Sequence, residues 1–156
     1  TLDYAVPVGP GNLDLTAAYS YNSTKVTSGT LAATADYASR IKFEQGMPSH
    51  NVTSTLTYSI SPVTISGRVR YYGPWTDSSG NSTGDIFQRF GGMAFVDLSV
   101  AYDFMPGMAV KAGASNLFNT YPDKATYQAS RGIVYSRNSP YDTNGGNYYM
   151  RFEAKF

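Results

Sequence analysis

The sequence contains no cysteine and only one histidine, His50, among its 156 residues. The absence of cysteine excludes disulfide bonds, redox-active dithiols and thiolate metal sites. A metal centre rich in histidine, or a Ser/His/Asp triad, would depend on a single imidazole. Because no second ligand candidate stands near His50, a structural place at the start of a strand is the favoured interpretation of it. We therefore expect no enzyme activity, no metal site and no cofactor.

An excess of charge of one sign and a long apolar run are also missing. The formal net charge is +1, whereas nucleic-acid binding needs a concentrated basic patch, so we expect no nucleic-acid partner. No apolar segment approaches the roughly 20 residues of a membrane-spanning helix, and no signal peptide is recognisable. Thr1 is not an initiator methionine, from which we expect a processed or trimmed chain whose upstream part is missing.

What the sequence does contain is an alternation of apolar with polar residues. It has 14 Tyr, 8 Phe and 15 Gly, and its mean hydropathy is −0.30. Successive side chains of a β-strand point to opposite faces, so this alternation predicts strands with one apolar and one polar face. No Asp, Glu, Lys or Arg falls on the apolar face of any of these strands. The seven predicted strands lie at about residues 1–8, 12–24, 51–60, 63–72, 94–104, 108–118 and 147–156.

The connections between the predicted strands are alternately short and long. Tight turns, each containing Pro, are expected at 9–12, 61–63 and 106–108, because Pro fixes φ in a turn. Long polar segments lie at about 25–49, 73–93 and 120–146. Loops of that length are uncommon in compact soluble domains. Short turns at one rim and long loops at the other, joining antiparallel strands of about ten residues, are typical of an outer-membrane β-barrel.

A membrane barrel also accounts for the sorting of the side chains. Backbone groups in hydrocarbon must all be paired, so only a closed sheet is stable there, with an apolar outer face. The predicted fold class is therefore all-β, an antiparallel transmembrane β-barrel segment, with aromatic girdles near the strand ends. Alternation alone leaves a second possibility open, a soluble antiparallel sandwich or barrel whose aromatic residues form a core. The residues predicted to face outward are Leu13, Leu15, Val52, Leu56, Val69, Val96, Leu98, Val100 and Phe152.

Three stretches of the sequence carry a resemblance to a known family. They are FEQGMPSHNVTSTLTYS, VDLSVAYDF followed by AVKAGASNLFNTYP, and the closing NYYMRFEAKF. In the same order and spacing, they resemble the last strands of TonB-dependent outer-membrane receptors. The most specific part is NLFNTYP, Asn116–Pro122, which stands some distance before the C-terminal aromatic residue. The resemblance covers nearly the whole chain.

The resemblance implies that residues 1–156 are the C-terminal part of the barrel domain of such a receptor. They would correspond to strands sixteen to twenty-two of a 22-stranded barrel that encloses a plug domain. The plug, the TonB-contacting segment and the earlier strands are absent, so a companion chain or a missing N-terminal part would supply them. An odd number of strands, with Phe156 at the periplasmic rim, also leads us to expect a fragment of a barrel.

The function implied by the resemblance is transport across the bacterial outer membrane. Such a receptor binds a scarce ligand, namely an iron chelate, a vitamin or an oligosaccharide, and imports it into the periplasm. The implied partners are the remaining barrel strands and plug, the TonB complex through the plug, outer-membrane lipid, and the small-molecule or oligosaccharide ligand. Tyr148, Phe152 and Phe156 of the closing strand resemble the signal recognised by the barrel assembly machinery, and they would take part in closure.

Several aromatic and arginine residues are candidates for ligand binding, because these side chains suit chelates and sugars by charge and stacking. Arg68 and Arg70 point into the predicted lumen, where salt bridges to the plug or to neighbouring carboxylates are the alternative. Asp97 and Asp103 are predicted to be lumen charges, since about 20 Å of strand between them is too far for paired catalytic carboxylates. The loop candidates, for which plain solvation is the alternative, are Trp75, Arg89, Tyr127, Arg131 and Tyr135.

A different function stays open at this point. A soluble β-sandwich that binds carbohydrate or has a structural role would show the same alternation of residues. A small complete membrane barrel is a variant of the transport hypothesis. Purification without detergent would favour the soluble module.

Overall fold

The computed structural model describes residues 1–27, 37–78, 86–126 and 132–155. None of the helices in these ranges is long and apolar enough to cross a membrane. The elements found in them are the strands β1 (Leu2–Val8), β2 (Gly11–Tyr21), β3 (His50–Ile60), β4 (Val63–Tyr72), β5 (Trp75–Ser78), β6 (Phe87–Phe90), β7 (Met93–Met105), β8 (Met108–Ser115) and β9 (Asn147–Ala154), and the helix α1 (Tyr37–Gln45).

Seven of the strands form one antiparallel sheet in the order β1-β2-β3-β4-β7-β8-β9. Each strand of this sheet pairs antiparallel with the strand of the sheet that precedes it and with the one that follows it in the sequence. The seven predicted strands and the all-β antiparallel class are therefore confirmed. β1 and β9 are the two edges of this sheet, which is not closed within the described residues. The closed barrel stays a prediction.

The two ends of the sheet carry different connections, as the sequence predicts. At one end β1–β2, β3–β4 and β7–β8 are joined by tight turns at 9–10, 61–62 and 106–107. Gly9 and Gly107 have φ of 59° and 81°, a backbone region that a side chain disfavours. At the other end lie the long connections after β2, β4 and β8. These two ends are called the turn end and the loop end below.

The register of the strands places all nine predicted outward residues on one face of the sheet. Leu15 stands opposite Leu56, Val69 opposite Val96, and Val100 opposite Ile65. This apolar face is not covered by any described element, and several of its large side chains are strongly exposed. The opposite, polar face carries the charged residues of the strands, which are Asp3, Asp14, Arg68, Arg70, Asp97, Asp103, Lys111, Arg151 and Glu153.

The long connections contain more regular structure than the sequence analysis predicts. The polar composition of the segment 25–49 predicts a loop with no more than short turns, but this segment includes the nine-residue helix α1. The helix contains neither Pro nor Gly, and Arg40 and Glu44 pair one turn apart at 4.0 Å. The segment 73–93 is also predicted to be a loop, but it contains the two-stranded sheet β5–β6.

The strand predicted at 108–118 ends earlier than expected. β8 stops at Ser115, because Asn116 adopts φ of 52°, outside the extended region. The turn that follows contains the NLFNTYP sequence, and its geometry is part of the candidate site.

Candidate functional site

The loop end of the sheet is covered on its polar side by a small folded unit, which we call the cap. It consists of α1, the β5–β6 hairpin and residues 121–126 and 132–146. Its apolar core is buried, and it rests on Phe95 of β7 and packs against Tyr72 of β4, both on the polar face. The core residues are Trp75, Phe90, Phe95, Ala125 and Tyr141.

Aromatic contacts hold the core of the cap together. The rings of Trp75 and Phe90 stack with centroids 4.6 Å apart, and Tyr141 lies 5.6 Å from Phe95. The Trp75 indole N–H donates a hydrogen bond of 3.2 Å to the Tyr141 hydroxyl, so the buried donor is satisfied. Burial raises the pKa of Tyr141, because the charged phenolate is disfavoured away from water.

Polar contacts tie the separate segments of the cap to one another. The buried carboxylate of Asp77 accepts hydrogen bonds from the Ser136 hydroxyl and, at 3.0 Å, from the Asn138 amide. The Thr76 hydroxyl donates to the side-chain oxygen of Gln45 at 3.2 Å, which connects β5 to α1. Gln88 of β6 donates to the Lys124 carbonyl at 2.8 Å. The cap is therefore assembled from three long connections that are distant in sequence.

The NLFNTYP turn is fixed by its first asparagine. The Asn116 side chain accepts from the Thr120 N–H at 2.9 Å and donates to the Thr120 carbonyl at 2.8 Å. Asn119, which also has φ of 52°, accepts from the Gly146 N–H at 2.9 Å through its side chain. Asparagine tolerates positive φ better than other side chains do, so both roles suit this residue type. The turn joins the end of β8 to the segment that leads into β9.

Asp97 is the centre of a charged network on the polar face. It is 9% exposed and lies between Arg68 and Ser115 on the neighbouring strands. Arg70 binds it through two nitrogens, each 3.0 Å from a carboxylate oxygen, and Arg68 Nη2 lies 2.9 Å from Oδ2. The Asn116 backbone N–H also donates to Asp97, at 2.9 Å. The Arg70 guanidinium lies over the Phe95 ring at 5.4 Å, so the network adjoins the cap.

Two cavities open on the polar face on either side of this network. The loop-side cavity, of about 370 Å³, is lined by Arg70, Phe95, Asn116, Asp142 and Asn144, among others. The mid-sheet cavity, of about 230 Å³, has Arg68 and Asp97 in its wall. Its other polar side chains are Thr55, Ser66, Ser99, Lys111 and Tyr149.

No protein-family model matches this chain, and comparison with curated proteins also gave no match.

The structure brings some predicted ligand-binding residues together and separates others. Arg68 and Arg70 share the polar face, and both pair with Asp97. Salt bridging to a neighbouring carboxylate is the alternative to ligand binding that the sequence predicts for them. Trp75 is predicted to lie in a long loop, but β5 places it in the core of the cap at 3% exposure. Arg89 is exposed on β6 beside a cavity of about 300 Å³ that Glu44 and His50 also line.

The remaining predicted site residues lie in the cap, on the last strand, or outside the described residues. Tyr135 is half-buried in the cap and stacks on Tyr121, with centroids 6.0 Å apart. Tyr148 and Phe152 lie exposed on the apolar face of β9. The predicted sites at Tyr127, Arg131 and Phe156 lie outside the described residues.

Most residues that line the two cavities are not among the candidates selected from the sequence, and three of them bear on the site. Lys111 and Tyr149 line the mid-sheet cavity, and Asn116 lines the loop-side cavity. The polar-face position of Lys111 follows from the alternation of β8, but its proximity to Arg68 depends on the register of three strands. Within the part of the chain that the structure describes, no group of three or more His, Cys, Asp or Glu residues could hold a metal ion.

Proposed function

We propose that this chain is the C-terminal barrel part of a TonB-dependent receptor in the bacterial outer membrane, which binds a scarce small ligand and imports it. The single observation that carries the proposal is the two-sided sheet. One face is apolar, free of Asp, Glu, Lys and Arg in the described strands, and uncovered, whereas the other is charged and covered at one end by the cap.

The exposure of the apolar face argues for a hydrocarbon surrounding. Phe152, Tyr148 and Met150 are 62%, 69% and 78% exposed, and large exposed apolar residues lie on six of the seven strands, all except β8. In water, each Å² of such surface costs about 25 cal/mol relative to burial. Soluble monomers rarely expose a continuous apolar patch of more than a few hundred Å². Lipid contact removes this cost, because the hydrocarbon chains are as apolar as the side chains.

The edges of the sheet indicate what the chain needs as partners. β1 and β9 each present a row of backbone groups without a neighbouring strand among the described residues. An unpaired backbone group in hydrocarbon costs on the order of a few kcal/mol. The proposed receptor therefore requires the remaining barrel strands and a plug, which a companion chain or another part of the protein provides, and the TonB complex acts through that plug.

The polar face supplies the surface that a transported ligand would meet. The cap overlies its loop end, and the cavities near Arg70 and Lys111 lie on that same face. Binding and release of a ligand require no covalent chemistry, so we propose a transporter that is not an enzyme and needs no cofactor. The proposed function assigns the cap and the polar face to recognition, and the apolar face to lipid.

The alternative function is a soluble sandwich that binds carbohydrate or has a structural role, and it requires the apolar face to be buried. In a sandwich, a second sheet packs about 10 Å from the first and buries its apolar side chains. β5–β6 is the only other sheet among the described residues, and it belongs to the cap on the polar side. The transport hypothesis is favoured for this reason.

Single cysteines test the orientation of the two faces, because the chain has no native cysteine. Leu98 and Ser99 are adjacent in β7 and point to opposite faces. In the receptor isolated with its outer membrane, a fluorescent label on Leu98→Cys should be quenched by lipids that carry a quencher in their acyl chains. A label on Ser99→Cys should be quenched by a water-soluble quencher instead. Equal quenching of both labels by the water-soluble agent would support the soluble module and refute the membrane proposal.

Import is tested by depletion of the medium. Cells with the receptor and with an active TonB complex should remove a small solute from a complex medium, and cells that lack either one should not. Depletion that depends on the receptor but not on TonB would overturn the energised mechanism. The solute that is removed identifies the ligand.

A further inference from the structure

We propose that the mid-sheet cavity is an oxyanion site, which takes a carboxylate or phosphate group of the small-molecule ligand. This inference rests on the proposed function, in which the polar face meets the ligand. The site would restrict the ligand to molecules with an anionic oxygen group, which the shape of the sheet alone does not indicate. Three features of the cavity support an oxyanion site: its charge, its unused hydrogen-bond donors and the position of Tyr149.

The charges around the cavity do not cancel. Arg68 and Lys111 are the cations of its wall, and Asp97 is its one carboxylate. Asp97 also pairs with Arg70, which lines the loop-side cavity. The wall alone therefore has an excess of one positive charge, and Arg70 adds a second one beside it. The next carboxylate along β7, Asp103, belongs to a separate cavity at the turn end. Arg151, opposite Lys111 on β9, already has Glu153 as a partner at 3.7 Å.

Lys111 is the cation that most clearly lacks a partner. Its side chain is half-buried, and its ammonium forms neither an ion pair nor a hydrogen bond with any residue that the structure describes. Burial of an unpaired charge is costly, so a half-buried ammonium gains from an anion that binds beside it. The two arginines, in contrast, already share Asp97.

Neutral donors complete the lining of the cavity. The hydroxyl groups of Thr55, Ser99 and Tyr149 have no hydrogen-bond partner among the described residues, although each lines the same space as Lys111. A hydroxyl can donate to an oxyanion, and a hydrogen bond to a charged group is about twice as strong as one between neutral groups. An oxyanion would satisfy several of these donors at once, which a neutral hydrocarbon could not do.

Tyr149 is held over the cavity by the glycine opposite to it. Gly113 of β8 pairs with Tyr149 of β9, and a Cβ atom at Gly113 would lie only 2.6 Å from the Tyr149 hydroxyl. The ring therefore lies against the backbone of β8 instead of projecting away from the sheet. In this position the hydroxyl group remains on the cavity wall with Lys111 and Ser99.

The decisive measurement is anion binding by the complete receptor, purified from outer membranes in detergent, with citrate and inorganic phosphate as probes. Lys111→Met removes the unpaired ammonium, and Lys155→Met is the control, because it removes an equal charge from an exposed position at the turn end. We expect the unmodified receptor to bind at least one probe and Lys111→Met to bind it at least about tenfold more weakly. Lys155→Met should bind within about twofold of the unmodified receptor, and sorbitol should not compete.

A second variant tests the cavity without a change of charge. Tyr149→Phe keeps the ring over Gly113 but removes its hydroxyl, and we expect binding of the probe to weaken by roughly two- to tenfold, as the loss of one hydrogen bond implies. Binding that is unchanged in Lys111→Met would overturn the proposal. The proposal would also be overturned if the unmodified receptor bound neither citrate nor phosphate. If, in addition, Lys111→Met lowered the thermal stability of the receptor without any added anion, the ammonium would be assigned to a carboxylate of the remaining barrel or plug.

Failure of this inference can be distinguished from failure of the proposed function. If the lipid quenching of Leu98→Cys and the TonB-dependent depletion are observed but no anion binds, only the oxyanion site is refuted. If the receptor is not in the outer membrane, the proposed function fails whatever the anion measurements show.

Discussion

Aromatic residues gather in two regions of this molecule, and the two differ in what covers them. In the cap, Trp75 and Phe90 are 3% and 2% exposed, and other parts of the same chain enclose them. On the apolar face, Tyr148 and Phe152 are 69% and 62% exposed, and no described element lies over them. The side chains are chemically alike, so the difference in exposure arises from what surrounds each region.

The comparison shows that hydrophobicity alone does not define a protein core. The cap has a core of its own, whose aromatic rings are buried against one another and against Phe95 of the sheet, away from water. The apolar face extends over seven strands and cannot be covered by the residues available in the cap. No described residue covers it, and the lipid contact that we propose would also explain the absence of charge on that face.

The largest expected effect comes from truncating one aromatic residue in each region. Phe90→Ala should destabilise the cap by about 3–5 kcal/mol, because it leaves a cavity in a packed core. Phe152→Ala should cost much less, since lipid can fill the space. Hydrogen exchange of peptides from β5 and β6 reports the stability of the cap, and that of peptides from β9 reports the region around Phe152, both measured by mass spectrometry in the proposed receptor. Equal effects of the two changes on their own regions would contradict the assignment of Phe152 to lipid.

A charge placed on each face of β7 gives the next largest effect. Leu98→Arg should destabilise the membrane-inserted receptor by about 2–4 kcal/mol if Leu98 lies near the middle of the bilayer. Ser99→Arg, one residue further on, should insert normally, because its side chain points to the polar face. The amount of folded receptor in the outer membrane, judged by resistance to unfolding in detergent without heat, provides the measurement. Normal insertion of Leu98→Arg would argue that this face does not contact lipid.

The network below the cap is expected to be less costly to disturb. Asp97→Asn leaves Arg68 and Arg70 without their carboxylate, and we expect a loss of about 1.5–3 kcal/mol, typical of hydrogen bonds to charged groups. Asp103→Asn is the matched control, since Asp103 is exposed and forms no ion pair in the described part of the chain. Thermal unfolding of the purified receptor compares the two variants. An equal effect of both would show that Asp97 does not organise the polar face.

The strands and their faces could be predicted from sequence because they depend on local alternation. A period of two residues is independent of the strand partners, so the sorting of Leu98 from Ser99 follows from the order of the residues alone. The tight turns were also predictable, since Pro and Gly restrict or permit local backbone angles. The shortening of β8 was not, because the positive φ of Asn116 is supported by hydrogen bonds to Thr120 and Asp97 that form only in the folded chain.

The cap and the cavities could not be predicted, because they depend on contacts between distant segments. Trp75 and Tyr141 are 66 residues apart, and Asp77 and Asn138 are 61 apart. Polar and glycine-rich segments without clear periodicity are typical of loops. For this reason Trp75 is predicted to lie in a loop, whereas the structure buries it in the core of the cap. The grouping of Lys111 with Arg68 likewise follows from the register across β4, β7 and β8, and no short motif encodes that register.

The smallest expected effect concerns the turn that lies between the two regions, and it separates backbone geometry from hydrogen bonding. Asn116→Gly keeps a residue that adopts positive φ readily but loses both side-chain hydrogen bonds to Thr120. Asn116→Ala loses the same bonds and also places a Cβ atom in the left-handed region, which costs about 1–2 kcal/mol. The alanine variant should therefore be less stable than the glycine variant by about that amount, in thermal unfolding of the receptor. The difference should appear in hydrogen exchange of residues near Gly146, since Asn119 of the same turn binds its N–H, while exchange in β2 and β3 stays the same. If alanine and glycine are equally tolerated, the turn is held by its hydrogen bonds and by its contact with Asp97, and the backbone angle of Asn116 contributes nothing of its own.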